Sequence, residues 1–157
     1  MESVEVKGPV MIKGKCTAVV YDEHGNIKQR VENPNMIVTV GRWAVGQKLA
    51  NSGSDLASLW ATTIAIGTGT AGPALSDTGL VGFVDSKTGV FSQNADENSW
   101  QVVATWGPNE PNANVTLYES GVFFTQNTWL FCRQTFNVTK NTPDTLTIIW
   151  EFAVTQA

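Results

Sequence analysis

The chain is short of charge. Asp, Glu, Lys and Arg supply 15% of its 157 residues, against about 25% in an average soluble domain. Thr, Asn, Ser and Gly stand in their place. That mix suits strands, turns and surfaces that a partner covers, because interface cores are depleted in charge. Basic clusters are also missing: the ten Lys and Arg are scattered, and Lys13 with Lys15 is the nearest approach to a pair. Phosphate recognition needs clustered cations, so no nucleic-acid partner is expected. A single histidine, His24, is too little for a Ser/His/Asp triad elsewhere or for an ordinary zinc site. Two cysteines, Cys16 and Cys132, are too few for a disulfide scaffold. Both lie in apolar strand patterns and read as buried thiols. No apolar run approaches the roughly 20 residues of a membrane span, so no membrane partner is expected. Met1–Glu5 lacks the basic and apolar regions of a secretory leader.

What is present is alternation. Leu146, Ile148, Trp150, Phe152 and Val154 occupy every second position, with Thr145, Thr147, Glu151 and Thr155 between them. Successive strand side chains point to opposite faces, so this segment has one apolar face and one mostly polar face. A one-residue slip would turn all five outward. Weaker copies run through Trp100–Trp106, Leu130–Phe136, Trp60–Ile66, Cys16–Tyr21 and Met36–Val40. Turn residues separate them: His24-Gly25-Asn26, which should join two strands as a hairpin, then Asn33-Pro34-Asn35, Lys87-Thr88-Gly89, Pro108–Asn112 and Asn141–Asp144. Many short alternating strands with such punctuation predict a mainly β fold, an antiparallel β-sandwich or jelly roll. One short helix is expected at about 42–50, capped by Thr39, with Trp43, Gly46 or Gln47, and Ala50 on one face. Gly46 would let it lie close to a sheet. Gly53–Leu59 reads as a loop. Residues 15–157 form one domain, and residues 1–14 an N-terminal arm or edge strand.

The sequence shows no reactive constellation. Gly67-Thr-Gly69-Thr-Ala-Gly72 spells a dinucleotide-binding pattern, but Pro73 follows and no helix long enough to present its N-terminus comes after it. These glycines are expected to form a structural turn at positive φ, with Thr68, Thr70 and Ser76 bonding exposed backbone and a brief helical turn from Ser76. Asp22-Glu23 and Asp96-Glu97 lack calcium-loop spacing. No metal, cofactor or catalytic residue is assigned, and the chain is not expected to be an enzyme. Glu119 shares a strand face with Val115 and Leu117, and Arg133 is its natural ion-pair partner. Of six tryptophans, Trp43, Trp100, Trp150 and Trp60 fit core positions. Trp106 and Trp129 border turns and are candidate interface residues.

One series of motifs is similar to a known group. Asn35-Met-Ile-Val38 leads to Gly41 and a helix. Ile64-Ala-Ile-Gly67-Thr-Gly69-Thr follows, then Val115-Thr-Leu-Tyr-Glu119-Ser-Gly121-Val-Phe123, Leu130…Arg133-Gln-Thr-Phe136 and Asp144–Phe152. In this order, over Lys15 to Val154, the chain resembles small virion structural proteins of tailed bacteriophages. The resemblance implies a capsid decoration or cement protein on the virion surface, made in the host cytoplasm. Its implied partners are the major capsid protein and other copies of itself, as a homo-oligomer. A tail or tail-fibre component, either an adaptor or a carbohydrate-binding module, is the alternative.

Overall fold

The computed structural model describes residues 10–50, 60–95, 98–124 and 129–156. The expected arm up to Pro9, the Gly53–Leu59 loop and the Asp96-Glu97 pair lie outside them. The architecture is a β-sandwich of two five-stranded antiparallel sheets with one short helix among the described residues.

Sheet A is built from β1 (Val10–Tyr21), β2 (Ile27–Pro34), β6 (Val90–Gln93), β7 (Ser99–Trp106) and β10 (Thr145–Gln156). Their spatial order is β2-β1-β10-β7-β6. Sheet B holds β3 (Met36–Ile37), β4 (Ala61–Gly67), β5 (Phe83–Thr88), β8 (Val115–Phe124) and β9 (Leu130–Lys140). Its order is β3-β9-β8-β4-β5. Helix α1 (Thr39–Ala50) joins β3 to β4.

The alternation in β10 does what the pattern requires. Leu146, Ile148, Trp150 and Phe152 are all buried, each contributing roughly 1.5–3 kcal/mol on removal from water. Val154, the fifth member of that face, is 42% exposed. Its neighbour β7 pairs no further than Ala153↔Ser99, so Val154 lies one position past that ladder. Facing β10 from sheet B are Ile64, Ile66, Val122, Phe131 and Val138, which join one continuous core. A hydrogen-bond chain crosses that core: the Trp150 indole N–H donates to Ser120 Oγ at 3.1 Å, and Ser120 donates to the Ala65 carbonyl at 2.8 Å. A buried indole needs such an acceptor.

The first hairpin turns where expected. Gly25 sits at φ 81°, and Asp22 Oδ1 accepts from the N–H groups of His24 and Asn26 at 2.9 Å each. The Asp22 carboxylate thus serves its own turn. Several other readings change. The Met36–Val40 strand is cut to Met36–Ile37, and the helix starts at Thr39 rather than 42. The helix lies close to β9 through Gly41, where a Cβ would collide with the Phe131 carbonyl, while a Cβ on Gly46 would meet nothing. Gly41 and Ala44 therefore form the inner face, and Trp43 is 50% exposed. Trp60 precedes β4 and is 61% exposed. The sequence pattern did not reveal β5 and β6. They are edge strands with exposed Phe83, Val90 and Phe91, so no buried alternation marks them. Cys16 and Cys132 are free buried thiols.

Candidate functional site

A dense polar cluster lies on the outer face of sheet B. A bulge between Leu117 and Glu119 puts Glu119 on that face, and Gly121 follows two positions later on the same side. Gly121 pairs with Arg133 across β8 and β9. Glu119 and Arg133 are both fully buried, and Arg133 Nε donates to Glu119 Oε2 at 2.8 Å.

Three backbone amides complete the carboxylate's shell. Gly69 and Gly82 donate to Oε1 at 2.9 and 2.6 Å, and Val81 donates to Oε2 at 3.0 Å. A carboxylate has about four acceptor sites, so Glu119 is saturated. Arg133 is equally occupied. Its Nη1 reaches Asp77 Oδ2 at 2.9 Å and the Gly72 carbonyl at 3.3 Å, and its Nη2 reaches the Ala71 carbonyl at 2.7 Å. Asp77 Oδ2 also accepts from the Ala74 amide at 2.9 Å. The whole 68–82 segment is therefore pinned to the sheet by one buried ion pair. Burial pushes the Glu119 carboxyl up, but the Gly82 and Val81 amides, Arg133 and the Gly69 amide outweigh it and hold the group below the usual range.

The GTGT turn has a different cause from the one expected. Gly67, Gly69 and Gly72 do not adopt positive φ; among the described residues the only glycine that does is Gly25. Two of the three are small because the carboxylate lies on them: a Cβ at Gly67 or Gly69 would come 2.6 or 2.5 Å from Glu119 Oε1. A Cβ at Gly72 would meet nothing. Ser76 starts no helix; the chain makes a turn closed by Asp77 N–H to the Ala74 carbonyl at 3.0 Å. Gly121 has the matching role on the strand, where a Cβ would press on Leu130 Cδ1, the Cys132 carbonyl and Leu80 Cδ2 at 2.9–3.1 Å. The Glu-x-Gly spacing and the glycine turn are two halves of one clamp. Asp77 is the member that sequence reasoning missed as a partner. Its place just after the turn was visible, but its contact with Arg133 spans 56 positions.

The two tryptophans assigned to an interface part company. Trp106 is a correction. It is the inward-facing last residue of β7, fully buried, with its indole N–H on Asp85 Oδ2 at 2.9 Å. It cannot reach a partner. Trp129 is half-buried and meets the exposed Trp43 edge-to-face, with ring centroids 4.9 Å apart.

A second polar group closes one end of the sandwich. Lys28 binds Asp144 at 2.7 Å and Lys87 binds Glu110 at 2.6 Å. Lys140 is fully buried and its Nζ has no hydrogen-bond partner. Burial holds its pKa down against the pull of Asp144 and Glu110. His24 is exposed beside Glu23 at 3.5 Å. Among the described residues no three His, Cys, Asp or Glu side chains are grouped to hold a metal. No helix there is long and apolar enough to cross a membrane. The buried carboxylate and guanidinium can hold a loop, but with every lone pair and most donors engaged they present nothing to a substrate.

No protein-family model, no curated protein and no solved structure matches this chain.

Proposed function

We propose that this chain is a structural component of a bacteriophage particle, a decoration protein that stabilises the capsid by contacts with the major capsid protein and with copies of itself. The observation that carries this reading is the surface. Trp43, Trp60, Phe83, Val90 and Phe91 stand 50–73% exposed, in a chain with few charges to keep that surface wet. Phe83, Val90 and Phe91 lie on the edge strands β5 and β6, and contiguous exposed apolar surface is what a protein partner covers. The buried Glu119–Arg133 pair is spent on holding the sandwich together, which fits a part whose work is contact rather than reaction. The ordered motifs of the sequence point the same way.

The test is addition of the purified protein to shells that lack it. Saturable binding at a fixed number of copies per shell supports the reading, with weaker binding for Phe83→Asp or Phe91→Asp. Failure to bind any such shell refutes it.

A second reading is a tail or tail-fibre component that binds carbohydrate. Trp43, 50% exposed on the helix, favours it, since surface aromatic rings stack on sugars; Trp106 plays no part. A glycan-array signal lost on Trp43→Ala would select this reading over the first.

A further inference from the structure

At one corner β1 runs on past β2, and no described strand pairs its outer edge there. β2 ends at Pro34, opposite Lys15 of β1. The Asn35 N–H to the Gly14 carbonyl, at 2.9 Å, is the last backbone bond on that side. The chain then crosses to sheet B as β3. β1 runs on to Val10, paired through this stretch with β10. Among the described residues no strand lies along the other edge of Val10–Lys13.

Beside that edge is a groove of about 890 Å³, walled by Ile12, Met36, Ile37, Val45 and Leu75. Met11 at its rim and Leu75 across it are 39% and 45% exposed. The charged side chains along it, Lys13 and Arg42, are both cations. A bare strand edge beside an apolar trough accepts an extended segment. The segment's backbone bonds the edge, and every second side chain enters the trough. The cations favour acid on the segment's other face.

The chain itself carries a segment of this kind. Ser3-Val4-Glu5-Val6-Lys7 alternates apolar and charged residues just ahead of β1. We propose that residues 3–7 of a second copy add as a strand to the Val10–Lys13 edge, with Val4 and Val6 in the groove and Glu5 beside Lys13 on the outer face. Its own segment is a poorer occupant. Only Gly8 and Pro9 separate Lys7 from Val10. A two-residue reversal would set Glu5 opposite Ile12 and turn Glu5 and Lys7 toward the apolar side. An arm from a second copy takes its register freely. Gly8 and Pro9 reach about 10 Å when extended, so the Val10 ends of the two copies must lie side by side, and two-fold symmetry makes the exchange mutual. The proposal does not depend on a capsid partner.

Light scattering on the full chain should give twice the 17.0 kDa of one copy. Val4→Asp with Val6→Asp in the arm, and Met36→Asp in the groove, should each return it to one copy with an unchanged circular dichroism spectrum. Deuterium exchange supplies the second readout. The amides of Val10–Lys13 that face away from β10 should be protected in the wild type and exchange quickly in the arm variant. A wild-type monomer with those amides fast overturns the proposal. A monomer with them protected seats the arm in its own groove and overturns the second-copy assignment. An oligomer that survives the arm variant is made by another surface and overturns it too. Shell binding enters neither readout, so failure here leaves that reading standing.

Discussion

Replacing Glu119 by Gln tests whether one ion pair holds the 68–82 segment. The side chain keeps its shape but exchanges a carboxylate oxygen for an NH₂ group. That NH₂ must face donors, because all four contacts of Glu119 are N–H groups. At least two bonds to a charged acceptor are lost, each worth about 1.5–3 kcal/mol. Arg133, fully buried, keeps only Asp77 as a counter-charge. Removing one member of a buried pair costs about 3–5 kcal/mol, in line with the bond count. For a chain of this size each kcal/mol lowers Tm by about 2–4 °C, so the variant should melt about 6–20 °C lower. Calorimetry gives the shift, and hydrogen exchange gives its location: the Gly69, Val81 and Gly82 amides should lose protection first. Glu119→Gln combined with Arg133→Met leaves no orphaned charge. It should be less destabilised than the sum of the two single changes by about 0.5–3 kcal/mol. A single variant within 1 kcal/mol of wild type, or a strictly additive pair, would refute the reasoning. The pH dependence follows from a depressed folded-state pKa. The contribution is full above the ordinary glutamate value of about 4.3 and is lost as pH falls through the lower folded value. The gap between wild type and Glu119→Gln should therefore close only in strongly acid solution.

Gly69→Ala and Gly67→Ala push a methyl onto the Glu119 carboxylate and should destabilise by about 1–3 kcal/mol, whereas Gly72→Ala, facing open space, should stay within about 0.5 kcal/mol; urea denaturation separates them. Trp106→Ala should cost about 3–5 kcal/mol, and Trp43→Ala, half exposed, less than about 1 kcal/mol by the same assay. Lys140→Met should raise Tm at pH 7 by the equivalent of about 1 kcal/mol, since an unsatisfied buried group is removed. Because burial lowers the Lys140 pKa in the folded state, that penalty is full below the folded value. The gain should shrink as pH rises toward the unfolded value near 10.4. Burial pushes both thiols well above the ordinary cysteine value, so mass spectrometry should find neither Cys16 nor Cys132 alkylated in native protein, and both alkylated after denaturation.

Period-two hydrophobicity determined the fold class, because a strand has no other way to put Leu146, Ile148, Trp150 and Phe152 on one side. The hairpin at Gly25 was legible for a similar reason, since the turn chemistry is local. The pairing of Glu119 with Arg133 could be anticipated from two charges set in apolar strands. What tertiary structure alone decided is where each face looks. Trp43 and Trp60 carry the same side chain as Trp150, yet a helix surface and a strand's leading end left them in solvent. Trp106, at the last position of β7, lies inward with Val102 and Ala104 by the alternation of its strand, and only the fold brings Asp85 to accept its indole N–H. Gly67 and Gly69 are small because of a carboxylate some 50 positions away, a fact no local rule contains. Sequence patterns record the period of a segment, whereas burial depends on what the fold brings to lie across from it.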